Sequence, residues 1–165
     1  MTEAKYLHFE SAGQHWLVST TPVQDVVELS LDAFIPGSPP FLPGLLAHRG
    51  SLLSVIRLDR LLDQTLGEIC RRVVVLRHGN QQAAVAVVSA GPVMELTGPV
   101  EAELPWELPD QVAVVARGIT GIPLPGSAGE GQALMLDVPT LFRRIGSSCI
   151  VHWQRSTTSK GTGPQ

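Results

Sequence analysis

Four groups of residues in this sequence carry chemistry-bearing types at suggestive spacings. His48 stands three residues before Ser51, where an imidazole can serve as base to a hydroxyl nucleophile. Cys149 and His152 are also three apart and are of the types that ligate zinc. Glu101 and Glu103 offer paired carboxylates, and Gly126, Gly129 and Gly131 offer the glycine density of a phosphate-cradling loop. Each group lacks something its chemistry requires. No GxSxG elbow surrounds Ser51, and no acid is placed to orient His48, so a plain hairpin-turn serine is the better reading. A closed zinc site needs three or four convergent ligands, and the five histidines His8, His15, His48, His78 and His152 are scattered. Glu101 and Glu103 alternate with small or apolar residues, like the solvent side of an extended segment. The glycines follow prolines and do not join a strand to a helix, as a phosphate loop must. The chemistry expected is binding: no catalysis, no cofactor and no metal.

Composition sets the frame for that binding. A chain of 165 residues fits one domain, or two small subdomains sharing a core. Hydrophobic residues make up 44% and charged ones 16%, which is ample for a packed interior. Thirteen prolines and sixteen glycines suit short strands punctuated by turns. The net charge of −3 and the absence of a long basic cluster argue against a nucleic-acid partner. The N-terminus lacks the apolar centre of a secretory signal. The apolar runs at Val73–Leu76 and Ala83–Val88 fall far short of the roughly 20 residues a membrane helix needs. A cytoplasmic protein without membrane insertion is expected, with Cys70 and Cys149 as unbridged thiols.

The local patterns predict mostly strands. Tyr6–Glu10 and Gln14–Thr20 read as a hairpin around Ser11-Ala12-Gly13. Val23, Val26, Val27 and Leu31, after Pro22, suggest a short helix over 22–30. Prolines exclude regular structure from Ile35 to Pro40. Leu45–His48 and Leu52–Leu58 look like strands joined at Arg49-Gly50-Ser51, and Asp59–Gly67 like a leucine-faced helix. Arg72–Arg77 and Gln82–Ser89 form the clearest hairpin, both arms rich in valine. Val93–Leu96, Val112–Ala116 and Ala133–Val138 are further strands, Thr140–Ile145 is a brief helix, and a polar tail begins at Ser156. The run from Leu45 through Arg49-Gly50 to Asp59 and Leu62 is echoed from Val114 through Arg117-Gly118 to Asp137 and Phe142. Two related half-domains would explain this echo, and so would chance likeness between two hairpins.

From Phe41 to Leu62 the sequence resembles the CheW family of chemotaxis coupling proteins. Pro39, Phe41, Leu42, Gly44, Leu45, Leu46, Arg49, Gly50, Leu52, Leu53, Val55, Ile56 and Leu58 fit its pattern in register without a gap. Upstream, Trp16-Leu17-Val18 and Val23-Gln24-Asp25-Val26 fit too. Downstream, Arg72–Leu76, Ala83–Val88, Val93–Leu96 and Leu134–Phe142 extend the likeness over roughly residues 5–145. Ala47, His48, Ser54 and Arg57 depart from the family's asparagine, leucine, proline and aspartate, and Val114 from a glycine, as in a divergent member.

The resemblance implies an all-β fold of two SH3-like, five-stranded β-barrel subdomains around a shared hydrophobic core, with a few short helices. The expected domain is 1–155: a first subdomain of roughly 1–65 plus the C-terminal segment, a second of roughly 70–135, and a disordered tail at 156–165. The implied role is a non-enzymatic adaptor coupling the signalling tips of methyl-accepting chemoreceptors to the regulatory domain of a CheA-type histidine kinase. The alternative is an interaction module of a pilus, gliding or other pathway with a different client. By position, Val23 and Val26 would line the receptor-facing groove, or be ordinary core. Arg49 would stand beside the groove, or be a solvated turn residue. Gly44 and Gly50 would lie near the kinase surface, or serve tight backbone geometry.

Overall fold

Valine and alanine dominate residues 73–76 and 83–87, and the reason is that both faces of these central strands are covered. The computed structural model describes residues 5–64, 67–96, 99–123 and 130–161, with the side chains of 130 and 153–161 left out. Among the described residues ten strands form two curled, five-stranded sheets, the SH3-like arrangement. In the first, β8 (Ser89–Glu95), β1 (Lys5–Ser11), β2 (Gln14–Ser19), β10 (Glu130–Leu136) and β9 (Ala116–Pro123) lie side by side in that order. In the second the order is β3 (Val23–Glu28), β6 (Arg72–His78), β7 (Gln81–Val87), β5 (Ser51–Arg57) and β4 (Gly44–His48). Helices α1 (Leu58–Leu61), α2 (Asp110–Ala113) and α3 (Val138–Gly161) complete the described chain.

Side chains alternate between two kinds of interior, as successive strand residues must. Leu7, Phe9, Trp16 and Val18 of the first sheet meet Ile56, Val74, Leu76 and Val85 of the second in one shared core. The intervening residues point into a smaller core inside each sheet's own curl. These are Tyr6, Leu17, Ala133 and Met135 on one side, and Val55, Val73, Val75 and Ala84 on the other.

The two sheets repeat one plan. Each has an antiparallel hairpin at its centre (β1–β2, β6–β7) and an antiparallel edge strand on one side of it (β8, β3). On the other side each has a parallel neighbour (β10, β5) that pairs with a final antiparallel strand (β9, β4). A helix follows the parallel strand in both, α3 after β10 and α1 after β5. Chain order differs only by rotation, because the whole second sheet is inserted between β2 and β8. The sequence echo does not follow this repeat in register: Arg49-Gly50 is the β4–β5 turn, whereas Arg117-Gly118 lies within β9 and Val114-Val115 precede it outside any strand.

Irregular segments close each sheet against its last strand. After β3, Ala33 bridges Leu45, with Leu45 N–H donating to the Ala33 carbonyl at 2.8 Å. After β8, Glu101 bridges Ile119 with two bonds of 2.8 Å. A glycine sits beside each closure. A Cβ on Gly44 would lie 2.5 Å from the Ala33 carbonyl oxygen, and one on Gly118 would lie 3.0 Å from that of Glu101.

Several local expectations are corrected. Residues 23–28 are strand and not helix: Val23 pairs with Leu76 and Asp25 with Val75, so the bulge at Gln24 turns Val23 and Val26 to the same face. Residues 112–115, expected as strand, belong to the turn and helix after Pro109 that buries Val112 and Val115 together. The helix expected to Gly67 stops after Leu61, where Asp63 adopts a positive φ of 55°. α3 is far longer than Thr140–Ile145 and runs through 156–161, part of the expected tail. Leu141, Phe142, Ile145 and Cys149 seat it on the shared core, and each further residue then adds a backbone bond to a helix already begun. Residues 162–165 lie outside the described ones. Nor does strand pairing follow the expected division near residues 65–70. β3, β4 and β5 pair with β6 and β7, whereas β1 and β2 pair with β8 and β10.

One buried histidine gives the fold a pH dependence. His8 in β1 is 4% exposed; its Nε2 shares a hydrogen bond with His15 Nδ1 at 2.9 Å, and its Nδ1 is buried without a partner. Burial first, then the neighbouring His15, lowers its pKa from the usual 6.5, against a smaller opposing effect of Glu10. The unfolded chain therefore takes up this proton before the folded one does. Stability is full above about pH 6.5, falls as pH drops through that value, and levels off below the folded-state pKa. Melting temperature measured across this range should decline on acidification, and His8→Leu should flatten the decline.

Candidate partner-binding surface

The tip of the β4–β5 hairpin is a two-residue turn with positive φ at both positions, 48° at Arg49 and 81° at Gly50. This is the geometry that matches the twist of paired strands, and glycine adopts it without strain. It projects the Arg49 side chain into solvent, 73% exposed. Across the opening between edge strands β3 and β4 stands Asp25. Its Oδ2 accepts from Arg49 Nη2 at 3.3 Å and from His48 Nε2 at 3.1 Å, and its Oδ1 accepts from the Val26 N–H at 2.9 Å. The bond from His48, then that from Val26, hold the Asp25 carboxyl below its usual range, with Arg49 contributing less. His48 is thus a clamp on Asp25, and its 12% exposed side chain leaves little of the ring open to a substrate.

Val23 and Val26 are half-buried in β3 and pack on the shared core, so one strand carries both valines and the carboxylate that holds Arg49. The neighbouring Gln24 receives a hydrogen bond from Gln82 of β7. Gln82 also lines a shallow depression of about 250 Å³ between the β5–β7 face and α3, floored by Ile56, Ala83, Phe142 and Ile145. Ser54, one of the departures from the resembled family, lies in its wall. The Gln24–Gln82 bond thus links the strand that bears the valines and the carboxylate to the strand that borders the depression.

Both glycines have a local backbone requirement. Gly44 is buried against the Ala33 carbonyl, whereas Gly50 faces open space and is required by its positive φ. Asp25 and His48 complete the site, and sequence reasoning gave neither a role in it. Asp25 was visible only as the acid of a four-residue pattern, and His48 as a substitution and as an unsupported base for Ser51.

The other chemistry-bearing residues do not converge. Cys149 packs on the shared core, and His152 Nε2 meets the Gly37 carbonyl at 2.8 Å. Burial raises the pKa of both Cys70 and Cys149, keeping them as neutral thiols at neutral pH. Among the described residues no group of three histidine, cysteine or acidic side chains is arranged to hold a metal, and no helix is long and apolar enough to cross a membrane.

Comparison with known proteins agrees with this architecture. The chain is similar to the scaffolding protein TtCheW from Thermoanaerobacter tengcongensis, at a TM-score of 0.65 and 20% identity over 82% of this chain and 85% of that one. At that identity the likeness establishes the fold. No curated protein matches. The model of the CheW-like domain matches residues 5–146, which span both sheets and the start of α3, and the chain therefore belongs to the CheW-like family.

Proposed function

We propose that this protein is a cytoplasmic, non-enzymatic adaptor that couples chemoreceptor signalling tips to a CheA-type histidine kinase. Membership of a family of scaffolds supports the coarse reading. The observation that carries the finer one is the seam between β3 and β4, where an exposed guanidinium is pre-positioned by Asp25 on the strand that bears two half-buried valines. A receptor helix offering an apolar stripe and a carboxylate would find anchors there and a directional donor at the rim. Binding requires no rearrangement of the strands, only a change of partner for Arg49.

Arg49→Ala should weaken binding to a purified receptor signalling fragment by about tenfold, as loss of an interface arginine does. Its melting temperature should stay near wild type, because the Arg49–Asp25 pair is exposed and exposed pairs contribute little to stability. Val23→Asp is a weaker test, since Val23 packs on the core. Unchanged receptor affinity in Arg49→Ala would place the contact elsewhere.

A further inference from the structure

We propose that the segment Leu104–Leu108 is a second docking element, which seats Trp106 in an apolar slot rimmed by lysine or arginine on a partner protein. Trp106 is 89% exposed, more than any other large hydrophobic side chain described, whereas Trp16 is wholly buried. Its exposure is built in. Leu104 and Leu108, four apart on either side of it, pack on the shared core. The Leu108 N–H donates to the Pro105 carbonyl at 3.2 Å, and upstream Glu101 is bonded in both directions to Ile119 of β9. Pro105 and Pro109 narrow the backbone further. The indole is thus held out on a fixed support, and little conformational freedom remains to be lost on binding.

Charge identifies the occupant. From Pro99 to Ala116 there are four carboxylates, Glu101, Glu103, Glu107 and Asp110, and no lysine, arginine or histidine. Among the described residues none of the four is ion-paired. Four carboxylates flanking an exposed tryptophan in sequence, with Arg144 bonded to Gln111 and not to any of them, repel acidic surfaces and draw basic ones, and arginine also stacks on the indole face. This element belongs to the segment closing the first sheet, whereas Arg49 lies on the second, so the inference goes beyond the adaptor reading and stands without it.

The test places a photo-reactive benzoylphenylalanine at position 106 of the full chain, in its own cells, and maps the cross-linked peptide. The expected adduct lies on one partner, in a segment with an excess of lysine and arginine. It should disappear when Glu103→Lys and Glu107→Lys are introduced and persist with Arg49→Ala. Trp106→Ala should bind that purified partner at least about tenfold more weakly, with an unchanged melting temperature. The proposal is overturned by adducts no stronger than those from the same probe at exposed Glu95, by adducts on an acidic or uncharged segment, or by adducts on a second copy of this chain. Full affinity in Trp106→Ala overturns it equally.

Discussion

Arg57→Ala should lower the unfolding free energy by about 3–5 kcal/mol, the cost of leaving a buried charge without its partner. Arg57 Nε and Nη2 donate to the two carboxylate oxygens of Asp59 at 3.0 and 2.8 Å. The side chains are only 17% and 3% exposed, so the pair is largely cut off from water. The hydrogen bonds to Asp59 keep the guanidinium charged, raising its pKa further. Arg57 Nη2 also donates to the Glu68 carbonyl at 3.2 Å, and the Glu68 carboxylate accepts from the Ala12 and Gly13 N–H groups at the β1–β2 turn. Arg57 therefore ties α1 to the approach to β6, and Glu68 carries the connection to the hairpin tip of the other sheet. Urea unfolding of Arg57→Ala, Arg57→Met, Asp59→Leu and the double variant Arg57→Met/Asp59→Leu checks this. Each single change should cost several kcal/mol, and the double change much less, because no charge is left stranded. Additive losses would show that the pair is not a unit.

Gly44→Ala should cost about 2–4 kcal/mol by forcing open the closure of the second sheet. The added methyl would sit 2.5 Å from the Ala33 carbonyl oxygen, which is backbone and cannot swing aside. Relief requires the 29–33 segment to retreat, loosening the bonds of Asp32 and Ala33 to Leu45 and that of the Ala47 N–H to the Asp32 carboxylate at 2.7 Å. Overpacking costs about 1–3 kcal/mol and each weakened hydrogen bond about 1 kcal/mol. Gly118→Ala, at the equivalent place in the first sheet, should cost less. The nearest obstacle there is a Val100 methyl at 2.7 Å, and the backbone oxygen stands at 3.0 Å. Thermal melts ranking wild type above Gly118→Ala above Gly44→Ala would bear out the shared closure. Wild-type stability in Gly44→Ala would remove it.

Much of this was legible in the sequence because the central strands announce themselves. The strand-like runs Tyr6–Glu10 and Gln14–Thr20, the valine-rich arms at 73–76 and 83–88, and the segments Leu45–His48 and Leu52–Leu58 became strands to within a residue of where they were expected. Two valine pairs three residues apart were misread in opposite directions. Val23 and Val26 share a face through a bulge and pair with β6, whereas Val112 and Val115 share one through a helical turn after Pro109. Spacing alone cannot separate these cases, since only the presence or absence of a paired neighbour decides between them. The helix boundaries escaped for a related reason: α3 is fixed by its seat on the core, and α1 is cut short by the backbone at Asp63. Within the candidate site, Val23, Val26 and Arg49 were readable as separate positions. Their connection through Asp25 was not, because residues 25 and 49 meet only once the edges of the second sheet curl toward each other. His48 and Arg57 were visible as substitutions, and their purposes appear only in three dimensions, one clamping Asp25 and the other pairing with Asp59.

The adaptor role is tested most directly by co-sedimentation of a CheA-type kinase with membranes bearing its chemoreceptor, with and without this chain. The account predicts that the kinase pellets only when the chain is present and returns to the supernatant when Arg49→Ala is substituted for it. A kinase that stays in the supernatant with the wild-type chain, or pellets equally well without it, contradicts the account.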